Sequence, residues 1–270
     1  MRTKGGAVPG RKPGTPVDVR EPLSDLPDSG YVFRTGWKLA TSDIDHQRRA
    51  RLDGVARYIQ EVGAEHLIDA EYAEIHPHWI VQRTVIDVIE PLDWPNDITF
   101  RRWCSGISPR WCTMRVRLDG SNGGRIETEG FWINMNKDTL TPSLIADGFF
   151  NRLATTTENH RLKWRPWLAG PAEPTATAAP FALRYTDGDH FEHVNNTVYW
   201  QGVHEVLAHA PDLSEIPEIS EPPFRAVVEY RKPIELDESV TIRSVRRNDA
   251  LHIWFCVGRD VRAAALVCKL

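Results

Sequence analysis

The 270-residue sequence contains no apolar run approaching the ~18 residues that a membrane-spanning helix needs, so none is expected. It has only four cysteines, Cys104, Cys112, Cys256 and Cys268, and no C-x-x-C pair. A chain this long builds a core without disulfides, so a reduced, cytoplasmic protein is expected. An excess of positive charge is also missing: 33 Lys and Arg stand against 37 Asp and Glu, for a net charge of −4. A protein that coats nucleic acid carries the opposite sign, which disfavours that role. No Gly-rich phosphate loop is present, because Gly120, Gly123 and Gly124 fall in a single turn between strand-like runs. Residues 1–29 hold five prolines and no hydrophobic stretch; they read as a disordered tail rather than a signal peptide.

What remains is a large foldable body, with 41% hydrophobic residues and ten tryptophans. At about 150 residues per domain its length suits one large domain or two small ones. A second proline-rich stretch, 164–180, reads as a linker. Across it the sequence repeats: Asp43-Ile-Asp-His46 and Asp187-Gly-Asp-His190 lie 144 residues apart, and the same offset sets Glu61 on Glu205. After the first motif, Leu52, Val55, Ile59, Val62 and Leu67 recur at helical spacing; after the second, Tyr199, Val203, Val206 and Leu207 do, closed by Pro211. Strand-like runs then follow each helix: 79–90, 98–107, 110–118 and 125–135 in the first half, and 225–231, 239–247, 250–257 and a last run ending at Leu270 in the second. The turn at Asp119–Gly124 marks a hairpin. Each unit is therefore α+β, with one central helix laid against an antiparallel sheet. The expected boundaries are a tail at 1–29, halves at 30–163 and 181–270, and a linker at 164–180.

The densest chemistry lies between Asp187 and Asn196, where three carboxylates, two imidazoles and two amides lead into a helix start. A helix N-terminus offers free N–H groups and partial positive charge to a developing oxyanion. A nearby Asp can activate water or attack an acyl carbon, and a His can carry protons. Acyl transfer to water fits this set. Helix capping and an ordinary Asp-Gly-Asp turn fit the same residues and stay open at this point.

His193-Val194-Asn195-Asn196, preceded by Asp187 and Asp189 and followed by Tyr199, resembles the HVNN segment of hotdog-fold acyl thioesterases. Two such units in one chain, with the fuller motif second, resemble the acyl-acyl-carrier-protein (acyl-ACP) thioesterase family of plants and bacteria over residues 31 to 270, with Val228-Glu229-Tyr230-Arg231 as a shorter match. The resemblance implies a tandem (double) hotdog whose first half shapes an acyl pocket and whose second half carries catalysis. Plant members carry Asp-x-Asp-x-Asn-x-His-Val-Asn-Asn. Asp189 and His193 match it, but Phe191 stands at the Asn position. Their strand motif Glu-Tyr-Arg-Arg-Glu-Cys reads Glu229-Tyr-Arg-Lys-Pro-Ile234 here, so a cysteine nucleophile is excluded at that site.

Single-domain hotdog thioesterases that use one carboxylate and a helix N-terminus place an Asp where Asp189 stands. By that resemblance Asp189 is general base or nucleophile, His193 orients substrate or water, and Asn195 opens the helix that supplies oxyanion donors. Asn196, Tyr199 and Glu229 are expected to bind substrate. Arg49 falls where His193 would in the first half, so that copy reads as degenerate. The implied function is release of free fatty acid from the acyl chain of acyl carrier protein in fatty acid biosynthesis, with no cofactor and no metal. An acyl-CoA thioesterase and a non-catalytic acyl-binding or sensing module are the alternatives, and monomer and homodimer are both compatible.

Other features carry less. His204 and His209 diverge by about 140° on a helix, which does not suit a zinc pair. His76-Pro-His78 reads as a solvated loop. Arg48, Arg49, Arg51 and Arg57, the pairs 101–102 and 115–117, and 243–247 form clusters suited to an acidic carrier or a phosphate, or simply to a solvated face.

Overall fold

A computed structural model of the chain describes residues 18–209 and 217–270; residues 1–17 of the expected tail and Pro211, the expected helix stop, lie outside them. Ten strands and three helices follow in order: β1 Phe33–Lys38, α1 Leu52–Asp69, β2 His78–Glu90, β3 Asp97–Ser108, β4 Trp111–Gly120, β5 Arg125–Met135, α2 Asp147–Ala154, β6 Thr177–Phe181, α3 Val198–His209, β7 Phe224–Tyr230, β8 Val240–Arg247, β9 Ala250–Val257 and β10 Asp260–Lys269. All the strands join one antiparallel sheet in the order β1-β3-β4-β5-β2-β7-β10-β9-β8-β6. Its middle is the β2–β7 pairing, which fuses the two halves in a register running from Arg83 opposite Glu229 to Val88 opposite Phe224.

Both long helices touch each other and cover the same sheet face. On α1 the buried stripe is Leu52, Val55, Ile59, Val62 and His66, one or two turns apart on one side. His66 holds the place expected for Leu67, which instead lines a cavity. On α3, Tyr199, Trp200 and Val203 are buried, and Gly202 lets the helix approach the sheet: a Cβ there would come within 2.5 Å of the Phe255 ring. One continuous core results, in which Phe100, Val116 and Ile126 of the first half and Val228, Ile253 and Ala265 of the second pack under the helix pair.

The opposite sheet face is also covered. Arg115 donates to the Ser24 carbonyl, and Arg225 donates to the carbonyls of Val19 and Glu21 at 2.6 and 2.8 Å. Residues 18–29, read from sequence as part of a disordered tail, therefore strap that face, held by arginines the sequence could not connect to them. The stretch read as a linker is similarly engaged at both ends. Trp167 and Leu168 donate backbone N–H groups to Glu229, and 177–180 belong to β6. Pro180 is tolerated there because β6 is an edge strand with a single partner, β8. The helix α2 gave no sequence signal, being only eight residues long.

The sequence repeat is matched in backbone geometry. In the first loop Asp45 Oδ1 accepts N–H bonds from Gln47 and Arg49 at 2.8 and 2.9 Å; in the second Asp189 Oδ1 accepts from Phe191 and His193 at 2.9 and 3.3 Å. Arg48 and Glu192, 144 residues apart, both take positive φ, at 65° and 62°. Among the described residues no helix is long and apolar enough to cross a membrane, and all four cysteines are buried and free.

Candidate active site

A cavity of about 270 Å³ opens between α1 and the loop that leads into α3. Its mouth is formed by Asp189, His190, Phe191, Asn195 and Asn196, and its interior includes Trp79, Met114, Trp132, Phe149 and Leu153 of the first half. A second, polar groove of about 380 Å³, with Arg57, Arg184 and Asp187 on its walls, meets the same place from the other side. Gln60 and Asn195 line both.

The loop around Asp189 is an Asx turn closed by its own backbone: Asp189 N–H donates to the His193 carbonyl at 2.8 Å while Oδ1 takes the two N–H groups named above. Oδ2 has no protein partner among the described residues and is left to the cavity. Asn195 then stands in the turn that leads into α3, three residues before the helix. Its Oδ1 accepts from the Thr197 N–H and hydroxyl at 2.9 and 2.8 Å, which turns its Nδ2, without a protein acceptor among the described residues, outward as a donor. The Asn196 N–H also has no protein acceptor among the described residues, and its carbonyl is held by the Tyr230 hydroxyl at 3.1 Å. A carboxylate oxygen and two donors without protein acceptors among the described residues thus stand together in the loop that leads into α3, along the cavity.

The corresponding groups in the first half are occupied. Asp45 Oδ2 takes Arg49 Nε at 3.2 Å, and the Leu52 N–H, which corresponds to that of Asn196, donates to His204 Nε2 at 2.8 Å. Burial holds the His204 imidazole below the ordinary histidine range, which keeps Nε2 an acceptor. In that copy the counterparts of Asp189 Oδ2 and of the Asn196 N–H are therefore both occupied. The residue 144 positions before His204 is Gln60, and it lines the second-half site.

Three of the residues expected at the site lie elsewhere. His193 does not line the cavity and serves the turn through its backbone; His190 is the imidazole at the mouth. Tyr199 is buried beneath α3, with its ring edge-on to Tyr230 and Phe255 at 5.2 and 5.1 Å, because it falls on the core stripe of the helix. Glu229 points to the other sheet face, where it pairs with Arg83 at 3.0 Å and caps Trp167 and Leu168. Pro233 is exposed and Ile234 is in the core, so neither reaches the cavity.

Other residues enter that sequence reading passed over. His78 begins β2 and lines the cavity, edge-on to Phe191 at 5.2 Å, rather than lying in a solvated loop. His76 is buried, and its Nε2 accepts the Ala146 N–H that opens α2. Most of the arginine clusters are neutralised within the chain: Arg49 by Asp45, Arg51 by Asp53, Arg57 by Asp43 and Asp53, Arg101 by Asp119, and Arg115 and Arg117 by Glu127. Among the described residues no group of His, Cys, Asp and Glu is arranged to hold a metal.

The acyl-ACP thioesterase N-terminal domain family matches residues 30–153, and the acyl-ACP thioesterase C-terminal domain family matches residues 172–257. An uncharacterized protein of Mycobacterium tuberculosis is 61% identical over 94% of this chain and 98% of its own length. An oleoyl-acyl carrier protein thioesterase of Arabidopsis thaliana is 23% identical over 81% of this chain and 65% of its own. The fold is shared with an acyl-ACP thioesterase from Bacteroides thetaiotaomicron, at a TM-score of 0.70, 12% identity and coverage of 88% of this chain and 97% of that one. It is shared also with the 12:0-ACP thioesterase from Umbellularia californica, at 0.68, 19% identity and the same coverage. With both of its domain families matched across most of its length, this chain belongs to the acyl-ACP thioesterase family.

Proposed function

We infer that the chain hydrolyses fatty acyl thioesters of acyl carrier protein, as a tandem hotdog in which only the second half is catalytic. The observation that carries this reading is the asymmetry of the repeat: Asp189 Oδ2 and the Asn196 N–H are free at a cavity mouth, whereas Arg49 and His204 occupy their counterparts. In this reading the acyl chain enters the largely apolar cavity, the carrier's arm lies along the polar groove, and the thioester sits between them at Asn195 and Gln60.

Asp189 acts as general base. Oδ2 accepts a proton from water, the hydroxide oxygen bonds to the carbonyl carbon, and the tetrahedral oxyanion takes hydrogen bonds from the Asn196 N–H and Asn195 Nδ2. Collapse breaks the C–S bond, expels the thiolate and forms the carboxylic acid; the proton held by Asp189 returns to the thiol. Direct attack by Asp189 would instead form an anhydride with loss of the thiolate, and a single turnover in labelled water would then place the label in the enzyme's carboxylate where water opens the anhydride at the Asp189 carbonyl, a result that general-base catalysis never gives.

Free-thiol release by the purified protein, with acyl-ACP and acyl-CoA of matched chain length, tests the function. Preference for acyl-ACP supports it. Preference for acyl-CoA changes the carrier, and hydrolysis of neither removes the enzyme reading in favour of a module that only binds acyl chains.

A further inference from the structure

The cavity wall contains a cation with nothing to neutralise it. Arg102, on β3, is 8% exposed and lines the cavity, yet among the described residues it makes no ion pair. Among the described residues its guanidinium has one hydrogen-bond partner, His66 Nδ1. Burial, then the positive charges of Arg102 and Arg152, push His66 down to about 2, so that ring is neutral and offers no countercharge. The thiols of Cys104 and Cys112 are driven up by burial, Cys104 to about 12, and are neutral too. Arg102 itself is lowered by burial to about 10 and stays a cation at neutral pH. Among the described residues every other buried arginine of this sheet has a carboxylate: Arg83 has Glu229, Arg115 has Glu127 and Arg225 has Asp87.

Two more buried nitrogens, one of them the indole N–H donor of Trp79, share the cavity without partners among the described residues. Trp79 Nε1 and His78 Nδ1 are buried and unbonded, and both residues line it. A cavity meant only for a hydrocarbon chain gains nothing from a guanidinium without a countercharge and an indole N–H without an acceptor, because a buried charge needs an opposite charge and a buried donor needs a hydrogen bond to offset the water each has lost. The Arg102 guanidinium lies under α1 at Gly63, its Nη2 3.8 Å from where a Cβ would stand. Gly63 is three residues past Gln60, so the cation sits roughly 4.5 Å along the helix from the cavity mouth.

We propose that this site takes acyl groups whose chain carries an acceptor oxygen, as a hydroxyl or a carboxylate, placed to meet Arg102 about one helical turn inside the cavity. The inference rests on the thioesterase reading for the reaction and on the cavity's own geometry for the selectivity. A carboxylate matches the planar fork and cancels the charge; a hydroxyl satisfies the donors alone.

The test compares kcat/KM on three short-chain thioesters of equal length, unsubstituted, hydroxylated and ω-carboxylated, each oxygen placed roughly 4.5 Å beyond the thioester so that it can meet Arg102, for the wild type and for Arg102→Met. An oxygenated chain is expected to be preferred by the wild type at least about tenfold, and the order to reverse in Arg102→Met, since a site built around a polar group rejects the analogue that lacks it. A wild type that prefers the unsubstituted chain, or a variant that loses all three substrates by one factor, overturns the proposal. The free acids, titrated onto wild type and onto Arg102→Lys by thermal shift, give a readout independent of hydrolysis. If no thioester is turned over, the proposed function fails, and the order of acid binding still decides for or against Arg102.

Discussion

Arg83 on β2 and Glu229 on β7 stand directly opposite each other in the pairing that fuses the two halves, with Arg83 Nη1 3.0 Å from Glu229 Oε1. Four residues along, Asp87 and Arg225 repeat the pair with the signs exchanged, at 2.6 Å. A slip of four residues in either direction would set Arg against Arg or Asp against Glu, so the two pairs fix the register of the seam. Trp167 stacks over Arg83 at 3.9 Å, and its N–H donates to Glu229, which ties the connecting segment to the same point.

Glu229→Gln should therefore act on stability and not on chemistry. Leaving Arg83 buried without its carboxylate should cost about 3–5 kcal/mol in urea unfolding, with kcat of the folded fraction kept. Loss of turnover at unchanged stability would return Glu229 to the active site.

Gln60 and His204 are related by the repeat and should separate in the laboratory. His204→Ala removes the acceptor for the Leu52 N–H and should lower stability by about 1 kcal/mol with little change in kcat/KM. Gln60→Ala removes a side chain that meets the substrate where the two cavities join and should lower kcat/KM about tenfold with unchanged melting temperature.

The buried histidine predicts an acid limb. His66 is held to about 2 when folded and titrates near its ordinary 6.5 when unfolded, so below 6.5 the unfolded chain binds a proton that the folded one refuses. Stability is complete above 6.5 and falls by about 1.4 kcal/mol for each pH unit below it. Burial lowers His76, His204 and His252 as well, with the same sign. Urea melts of the wild type and His66→Asn should show the variant losing about 2 kcal/mol less than wild type between pH 7.5 and pH 5. Equal losses would mean that His66 takes up a proton in the fold.

The elements that sequence periodicity marks are those whose burial is one-sided and long: α1, α3, the strands β2 to β5, and the hairpin turn whose Gly123 and Gly124 take φ of 90°. The Asp189 loop was legible because an Asx turn writes itself in a few adjacent residues and is written twice. Glu229 and Tyr199 were misplaced because a motif gives residue order and not which face each side chain takes. Whether an outward strand position meets water depends on distant covering segments, here 19–24 and 164–168. Arginine clusters looked available because their acidic partners lie across a strand or one turn away. His78, Arg102 and Gln60 carry no local signal, since what makes them notable is a shared cavity.

Hydrolysis by Asp189→Asn and Asp45→Asn, each compared with the wild type on acyl-ACP, tests the central claim. Asn retains the acceptor oxygen that closes each turn, so both variants should fold. Asp189→Asn should lose between about 10²- and 10⁴-fold in kcat while Asp45→Asn stays within about threefold of the wild type. An Asp189→Asn enzyme of near wild-type activity, or equal losses at both positions, would contradict a single catalytic centre at the start of α3.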